Sequence, residues 1–209
     1  MRLLFIRHGE TEWNASLRYQ GHANIPLNDK GRAQAHATAH RLKAYDVSAI
    51  YTSDLVRAEE TARIIGADLD ITPKLLPELR EIDVGQWEGL TPEELYRRYP
   101  DHMREYERDP ARTVRLGGES YAQLQQRALS ALNQIASAHQ QGQTIIAVSH
   151  GGTIRALLCH VIGLDLAYFG RMWLDNGSIN ELRRRSESWR LLRLNDVAHL
   201  EGTELATGE

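Results

Sequence analysis

Two histidines, each preceded by an apolar run and followed by glycine, are the residues of this chain best suited to chemistry. The first closes Leu3-Leu4-Phe5-Ile6-Arg7-His8-Gly9, and the second closes Thr144-Ile145-Ile146-Ala147-Val148-Ser149-His150-Gly151. Short, β-prone apolar runs predict buried strands. In an open α/β sheet, ligands bind beyond the carboxyl ends of the strands. If the two strands are parallel neighbours, His8 and His150 arrive at one sheet edge, with the cation of Arg7 beside them. Gly9 carries no side chain and is expected to let backbone N–H groups approach an anion there.

These residue types suit phosphoryl transfer. A phosphate monoester is a dianion near neutral pH, and its transfer needs charge neutralisation and positioning above all. Arg7 and Arg57 offer planar forks that match phosphate oxygens two at a time, which lysine does not. Arg57 follows a predicted strand at 47–51, and Thr52-Ser53-Asp54 is expected to cap its helix. It should point to the same edge, where a helix N-terminus also favours an anion. A histidine in this setting is either a metal ligand or a nucleophile. A metal wants a cluster of histidines and carboxylates. The arginines compete with a cation, so a phosphate is expected and a metal is not. A neutral imidazole can attack phosphorus. The leaving alkoxide then needs a proton donor, and the residues alone do not single out one glutamate.

The elements that must position these groups follow from pattern. Helices are expected at about 28–45, with Asn28 as N-cap, at 54–66, at 119–139 and at 152–163. A short strand is expected at 69–72, and strands at 178–182 and 189–194 form an edge hairpin with Arg183-Arg184-Arg185 at its turn. Thr91-Pro92-Glu93-Glu94 starts a helix with proline at N1, and the stretch to Arg112 reads as short helices covering the pocket. Strands alternate with helices, so the class is α/β with a mostly parallel sheet. One domain is expected over 1–195, followed by a tail at 196–209 that either folds over the pocket through His199 or stays disordered.

Composition bounds the rest. The chain has 209 residues, 42% hydrophobic and 25% charged, with net charge −3. The tail holds Asp196, Glu201, Glu204 and Glu209 and no Lys or Arg, which leaves the body close to neutral. No basic face suggests nucleic acid. No run is long enough for a membrane span, and a secretory leader is not expected. The single cysteine, Cys159, sits in an apolar pattern and reads as core, so a cytoplasmic setting is the default. His36 and His40 are four apart on a polar helix face without an acidic third ligand, and read as solvent-facing. The edge hairpin with Trp189 either pairs with a second copy, giving a homodimer, or is protected by its arginines.

Five blocks then resemble one family. Arg7-His8-Gly9-Glu10-Thr11 with Trp13-Asn14, Ser53-Asp54-Leu55-x-Arg57-Ala58-x-x-Thr61-Ala62, Leu79-Arg80-Glu81-Ile82, Gly117-Gly118-Glu119-Ser120 and Ser149-His150-Gly151-Gly152 resemble, in order, the signatures of the histidine phosphatase (phosphoglycerate mutase-like) superfamily. The resemblance implies a three-layer α/β/α sandwich. It implies His8 as the nucleophile that becomes phosphohistidine, Glu81 as proton donor, and His150 as a hydrogen-bond donor to the transferring phosphoryl group. To act as that donor, Glu81 must hold a proton near pH 7. The resemblance also places Arg7, Arg57 and Asn14 on the phosphate, with Gln20, Gly21 and Gly151 beside them. No cofactor is implied.

The function expected is metal-independent hydrolysis of a small phosphorylated metabolite. A phosphoglycerate mutase on the same chemistry is the alternative, but only 37 positions separate Glu81 from Glu119, short for a pocket-closing insertion. A non-catalytic phosphate-binding module is disfavoured, because His8, Glu81 and His150 are all present. The compact chain resembles the broad-specificity, phosphoserine and α-ribazole phosphatase branches. The phosphoserine branch tends to carry histidine where this chain has Val84, which argues against serine specificity and for a more permissive pocket. Trp13 and Trp87 are open between pocket and core. His22 reads as a surface residue. Thr11 either lends a hydroxyl or packs, and Glu10 is expected to orient the loop.

Overall fold

The computed structural model describes residues 1–186 and 188–206. The period-two alternation of the strands decides its layers. In β1 (Arg2–Arg7), Leu3 and Phe5 join one buried cluster, while Leu4 and Ile6 join another. β4 (Thr144–Ser149) divides the same way, with Ile145 and Ala147 on one face and Ile146 and Val148 on the other. A sheet apolar on both faces must be covered on both. Together with β2 (Val47–Thr52), β3 (Lys74–Leu75), β5 (Ile179–Arg185) and β6 (Ser188–Asp196), these strands form one six-stranded sheet in the order β3-β2-β4-β1-β5-β6. The β3, β2, β4 and β1 strands run parallel, and β5 and β6 are antiparallel additions at one edge.

The short α1 (Glu12–Ala15) lies in the loop after β1. One face of the sheet is covered by α2 (Asp29–Leu42) and α3 (Val56–Leu69), which contribute Ala39, Leu42, Ala58 and Ile65. After β3 come α4 (Pro92–Arg98) and α5 (Pro100–Arg108), the covering segment. The opposite face is covered by α6 (Tyr121–Ala138) and α7 (Gly151–Ile162), through Leu124, Leu132, Ile135 and Leu157. The architecture is the expected three-layer α/β/α sandwich. Cys159 is buried in the core, and His36 and His40 are exposed.

Four local expectations are corrected. The strand placed at 69–72 does not exist: α3 continues to Leu69, Asp70 closes it at φ 54°, and the strand is Lys74–Leu75. Gly66 does not stop the helix. It admits a close return of the chain, since a Cβ there would lie 2.3 Å from the Ile71 carbonyl oxygen. Thr52-Ser53-Asp54 does not cap α3, whose N-cap is Leu55 without a side-chain bond. Asp54 instead pairs with Arg80. Arg183 to Arg185 lie in β5, and the chain turns after them at Ser186, φ 53°. Arg183 and Arg185 are exposed, so strand register carries them to solvent without a turn.

The acidic tail packs through 206 on α2. Leu200 is buried, His199 Nε2 meets Thr38 Oγ1 at 3.1 Å, and Gln34 Nε2 donates to the Leu205 carbonyl. His199 is therefore not in the His8 cleft. The rest of the tail, 207–209, lies outside the described residues.

Candidate active site

The parallel register of β1 on β4 pairs Arg7 with Ser149, so the next residues, His8 and His150, lie side by side. The His8 amide donates to the Ser149 carbonyl at 3.0 Å, and the two ring centroids are 5.0 Å apart. His8 Nδ1 lies 2.7 Å from the Gly9 carbonyl oxygen. A carbonyl only accepts, so Nδ1 carries the proton and Nε2 keeps its lone pair. Burial, then the charges of Arg57 and Arg7, hold the His8 imidazole well below its ordinary pKa. Burial and Arg57 do the same for His150, whose two ring nitrogens are buried without a partner. Both rings are neutral at neutral pH in the ligand-free chain.

Gly9 does something other than expected. Its amide is taken by Thr61 Oγ1 at 3.1 Å, and a Cβ on it would lie 2.3 Å from the Gly31 carbonyl oxygen. Its bare backbone lets the loop after β1 pack on the start of α2. Glu10 secures the same junction, accepting from Asn28 Nδ2 and pairing with Lys30. Thr11 caps α1 in a reciprocal bond with Asn14. That bond engages Asn14 Oδ1, which leaves the side-chain Nδ2 as a donor on a residue that lines the cleft.

Arg7 donates through Nη1 to the Leu174 carbonyl, and Arg57 donates through Nη1 and Nη2 to the carbonyls of Ala23 and Gly21. In both, Nε is buried without a partner. The backbone bonds fix the two guanidinium planes in advance, and no described carboxylate forms an ion pair with either. Desolvation pushes each down to about 10, so both remain cations at neutral pH. Guanidiniums fixed in place without a carboxylate partner are suited to an anion that arrives from solution. Gly151 lies against this side chain, where even a Cβ would make only an ordinary contact, 3.4 Å from Arg7 Nε.

Glu81 enters from the loop after β3. Its carboxylate accepts from the amides of Ile82 at 2.9 Å and Gly152 at 3.0 Å. Gly152 leaves the room it needs, since a Cβ would fall 2.3 Å from Glu81 Oε1. The loop is pinned by Arg127 of α6, which donates to the carbonyls of Glu78, Arg80 and Glu81 and pairs with Glu119. His22 is not a plain surface residue: its Nε2 lies 2.8 Å from the Glu81 carbonyl oxygen and donates to it.

Most of the polar side chains among these groups line one cleft with two lobes. The inner lobe, about 330 Å³, is lined by Arg7, His8, Asn14, Gln20, Gly21, Arg57 and Glu81 together with Val84, Tyr106, Arg115, Tyr121 and Phe169. The outer lobe, about 680 Å³, shares Arg7, Asn14 and Glu81 and opens past Trp13, Gly151 and the exposed Trp173. Trp87 is fully buried, so of the two tryptophans only Trp13 belongs to the cleft. Every site residue expected from sequence therefore borders the cleft except His150, which is fully buried behind it against His8. Arg155, Arg115 and Asn176 were not singled out. Arg155 lines both lobes, and Asn176 Nδ2 donates to the His8 carbonyl at 2.9 Å. Among the described residues, no cluster of three or more His, Cys, Asp or Glu could hold a metal ion, and no helix is long and apolar enough to cross a membrane.

A sheet edge carrying two neutral histidines and fixed arginines around a glutamate is the arrangement of a phosphoryl-transfer enzyme. The family model of the histidine phosphatase superfamily (branch 1) matches residues 3–197, and the chain belongs to that family. It is a phosphoric monoester hydrolase by class. It is 37% identical to a metal-independent phosphoserine phosphatase of Arabidopsis thaliana, over 95% of this chain and 82% of that one. It is 33% identical to a probable phosphoglycerate mutase, GpmB, of Cronobacter sakazakii, over 98% of this chain and 97% of that one. Among solved structures, Bacillus stearothermophilus YhfR superposes with a TM-score of 0.90 at 33% identity, covering 96% of this chain and 99% of that one.

Proposed function

We propose that the chain hydrolyses small phosphomonoesters without a metal ion, through a phosphohistidine on His8. The observation that carries this reading is the 2.7 Å contact of His8 Nδ1 with the Gly9 carbonyl, which leaves Nε2 as a free lone pair among Arg7, Arg57 and His150.

The phosphate is held by Arg7 and Arg57, with the Asn14 amide as a neutral donor and Gln20, Gly21 and Gly151 shaping its seat. His8 Nε2 attacks phosphorus. The bond from phosphorus to the ester oxygen breaks, and the leaving oxygen takes a proton from Glu81. His150 donates a hydrogen bond to the phosphoryl oxygens, where charge is spread in the transition state. Water then attacks the phosphohistidine and gives its proton to Glu81, the P–N bond breaks, and inorganic phosphate leaves.

Hydrolysis is favoured over mutase action because the cover is small. Two helices of 7 and 9 residues and a loop span the distance from the Glu81 loop to α6. Val84, 2% exposed and apolar, gives no polar contact to a substrate amine and supports a pocket that accepts several esters. The test is phosphate release from a panel of monoesters in the presence of chelator, by wild type and by His8→Ala. Release that survives chelation and is lost in the variant supports the reading. Release that needs a metal, or that persists without His8, defeats it.

A further inference from the structure

The buried face of α2 carries an amide among small residues. Gln34 is fully buried, on the same face as Ala35, Thr38 and Ala39. A buried amide is costly unless both of its ends are bonded. Here both are. Gln34 Oε1 accepts from the Glu10 amide at 2.9 Å, and Nε2 donates to the Leu205 carbonyl at 2.8 Å. An N–H only donates and a carbonyl only accepts, so the two partners fix which way the side-chain amide faces. Lys30, one turn earlier on α2, repeats the link between tail and loop. Its Nζ lies 3.2 Å from the Ala206 carbonyl oxygen and 3.4 Å from Glu10 Oε2.

The Glu10 N–H and the Gly9 C=O belong to one planar peptide group. The Gly9 carbonyl is the group that meets His8 Nδ1 at 2.7 Å. One rigid unit therefore has Gln34 at its nitrogen and the imidazole at its oxygen. A chain of hydrogen bonds runs from the Leu205 carbonyl through the Gln34 amide and the Gly9–Glu10 peptide to His8. Each bond in such a chain polarises the next, so an acceptor on the Glu10 N–H makes the Gly9 oxygen a better acceptor for Nδ1–H. The peptide group on the other side of Gly9 is held separately. Its carbonyl accepts from Asn176 Nδ2, and its N–H donates to Thr61 Oγ1.

We propose that Gln34 is a positioning residue for the nucleophile: by orienting the Gly9–Glu10 peptide it holds His8 in the Nδ1–H tautomer and keeps Nε2 free for phosphorus. This rests on the hydrolase reading above. Gln34 does not line the cleft and touches no substrate. Arg7 and Arg57 have anchors of their own, the carbonyls of Leu174, Ala23 and Gly21. Phosphate binding and the state of His8 are therefore separable.

The test follows the His8 ring nitrogens by NMR, the single-turnover rate of His8 phosphorylation, and competitive inhibition by inorganic phosphate. Gln34→Met removes both bonds. It should mix the two His8 tautomers and slow phosphorylation by about tenfold, the worth of one neutral hydrogen bond, with phosphate inhibition unchanged. Gln34→Glu keeps an oxygen for the Glu10 amide and loses the donor to Leu205, and should retain the wild-type tautomer and rate. If Gln34→Met does not fold, Gln34→Asn carries the same prediction, since it keeps the polarity and is one methylene too short for the amide. A wild-type tautomer and rate in the folded Met or Asn variant overturns the proposal, as does loss of both in Gln34→Glu. Equal weakening of phosphate inhibition and of phosphorylation in the Met variant also overturns it, by showing a general disturbance of the site. A wild-type enzyme that forms no phosphohistidine at His8 overturns the hydrolase reading instead, before any variant is compared.

Discussion

The Glu81 carboxylate is held by the Gly152 amide, at 3.0 Å, in the first turn of α7, the helix for which His150 is the N-cap. One helix start therefore positions both the proposed proton donor and one of the two histidines. It also explains the second of the two glycines after His150. Gly152 clears space for Glu81, whereas a Cβ on Gly151 would only touch Arg7.

Glu81→Gln keeps the shape and removes the transferable proton. The loss should depend on the leaving group. For an alkyl phosphate, kcat should fall by about 10²–10⁴-fold, the usual contribution of a positioned acid. For p-nitrophenyl phosphate, whose leaving oxygen needs little protonation, the first step should fall far less. Equal losses for both in single-turnover experiments would remove Glu81 from the role of acid.

Arg127 acts on the same residue from behind, through the carbonyls of Glu78, Arg80 and Glu81. Arg127→Met should lower kcat on alkyl phosphates more than on p-nitrophenyl phosphate, as in Glu81→Gln but by about tenfold. A loss of stability with no leaving-group dependence would show that its role is structural only.

Stability should fall on mild acidification. His8 and His150 have folded-state pKa values held below the ordinary 6.5, so the unfolded chain binds protons that the folded chain refuses. Their contribution is fully present above pH 6.5 and is lost as pH falls from there toward the folded values. Each group costs up to about 1.4 kcal/mol per pH unit in that window. Denaturant midpoints measured from pH 7.5 to 5 should drop, and the drop should be shallower in His150→Asn. A flat profile in wild type would contradict the buried, neutral state of these rings.

Gly9→Ala should destabilise by about 1–3 kcal/mol, the usual cost of overpacking. Its Cβ would meet the Gly31 backbone, which no side-chain rotation can relieve. An unchanged thermal midpoint would refute the close approach of this loop to the start of α2.

The sheet and the histidine pair were legible because they rest on local pattern. Short continuous apolar runs mark β1 and β4, and the residues that follow a strand inherit its register. Gly9 and Gly152 were visible as glycines, but what each avoids is a backbone or side chain distant in sequence, Gly31 and Glu81. Arg115, Arg127, Arg155 and Asn176 were not legible for the same reason. Asn176 reaches His8 across 168 positions, and an arginine's partners cannot be read from its neighbours in sequence. His22 and His199 follow the same rule: one is held by the Glu81 loop and the other by α2.

The most direct measurement is rapid quenching of the enzyme with phosphate-labelled substrate in the presence of chelator, followed by mapping of protein-bound label. A base-stable, acid-labile label on the peptide that carries His8, absent from His8→Ala and formed as fast as turnover, is the predicted result. Label on another residue, or steady hydrolysis by His8→Ala with no labelled protein, would contradict the phosphohistidine route and with it the role assigned to the free Nε2.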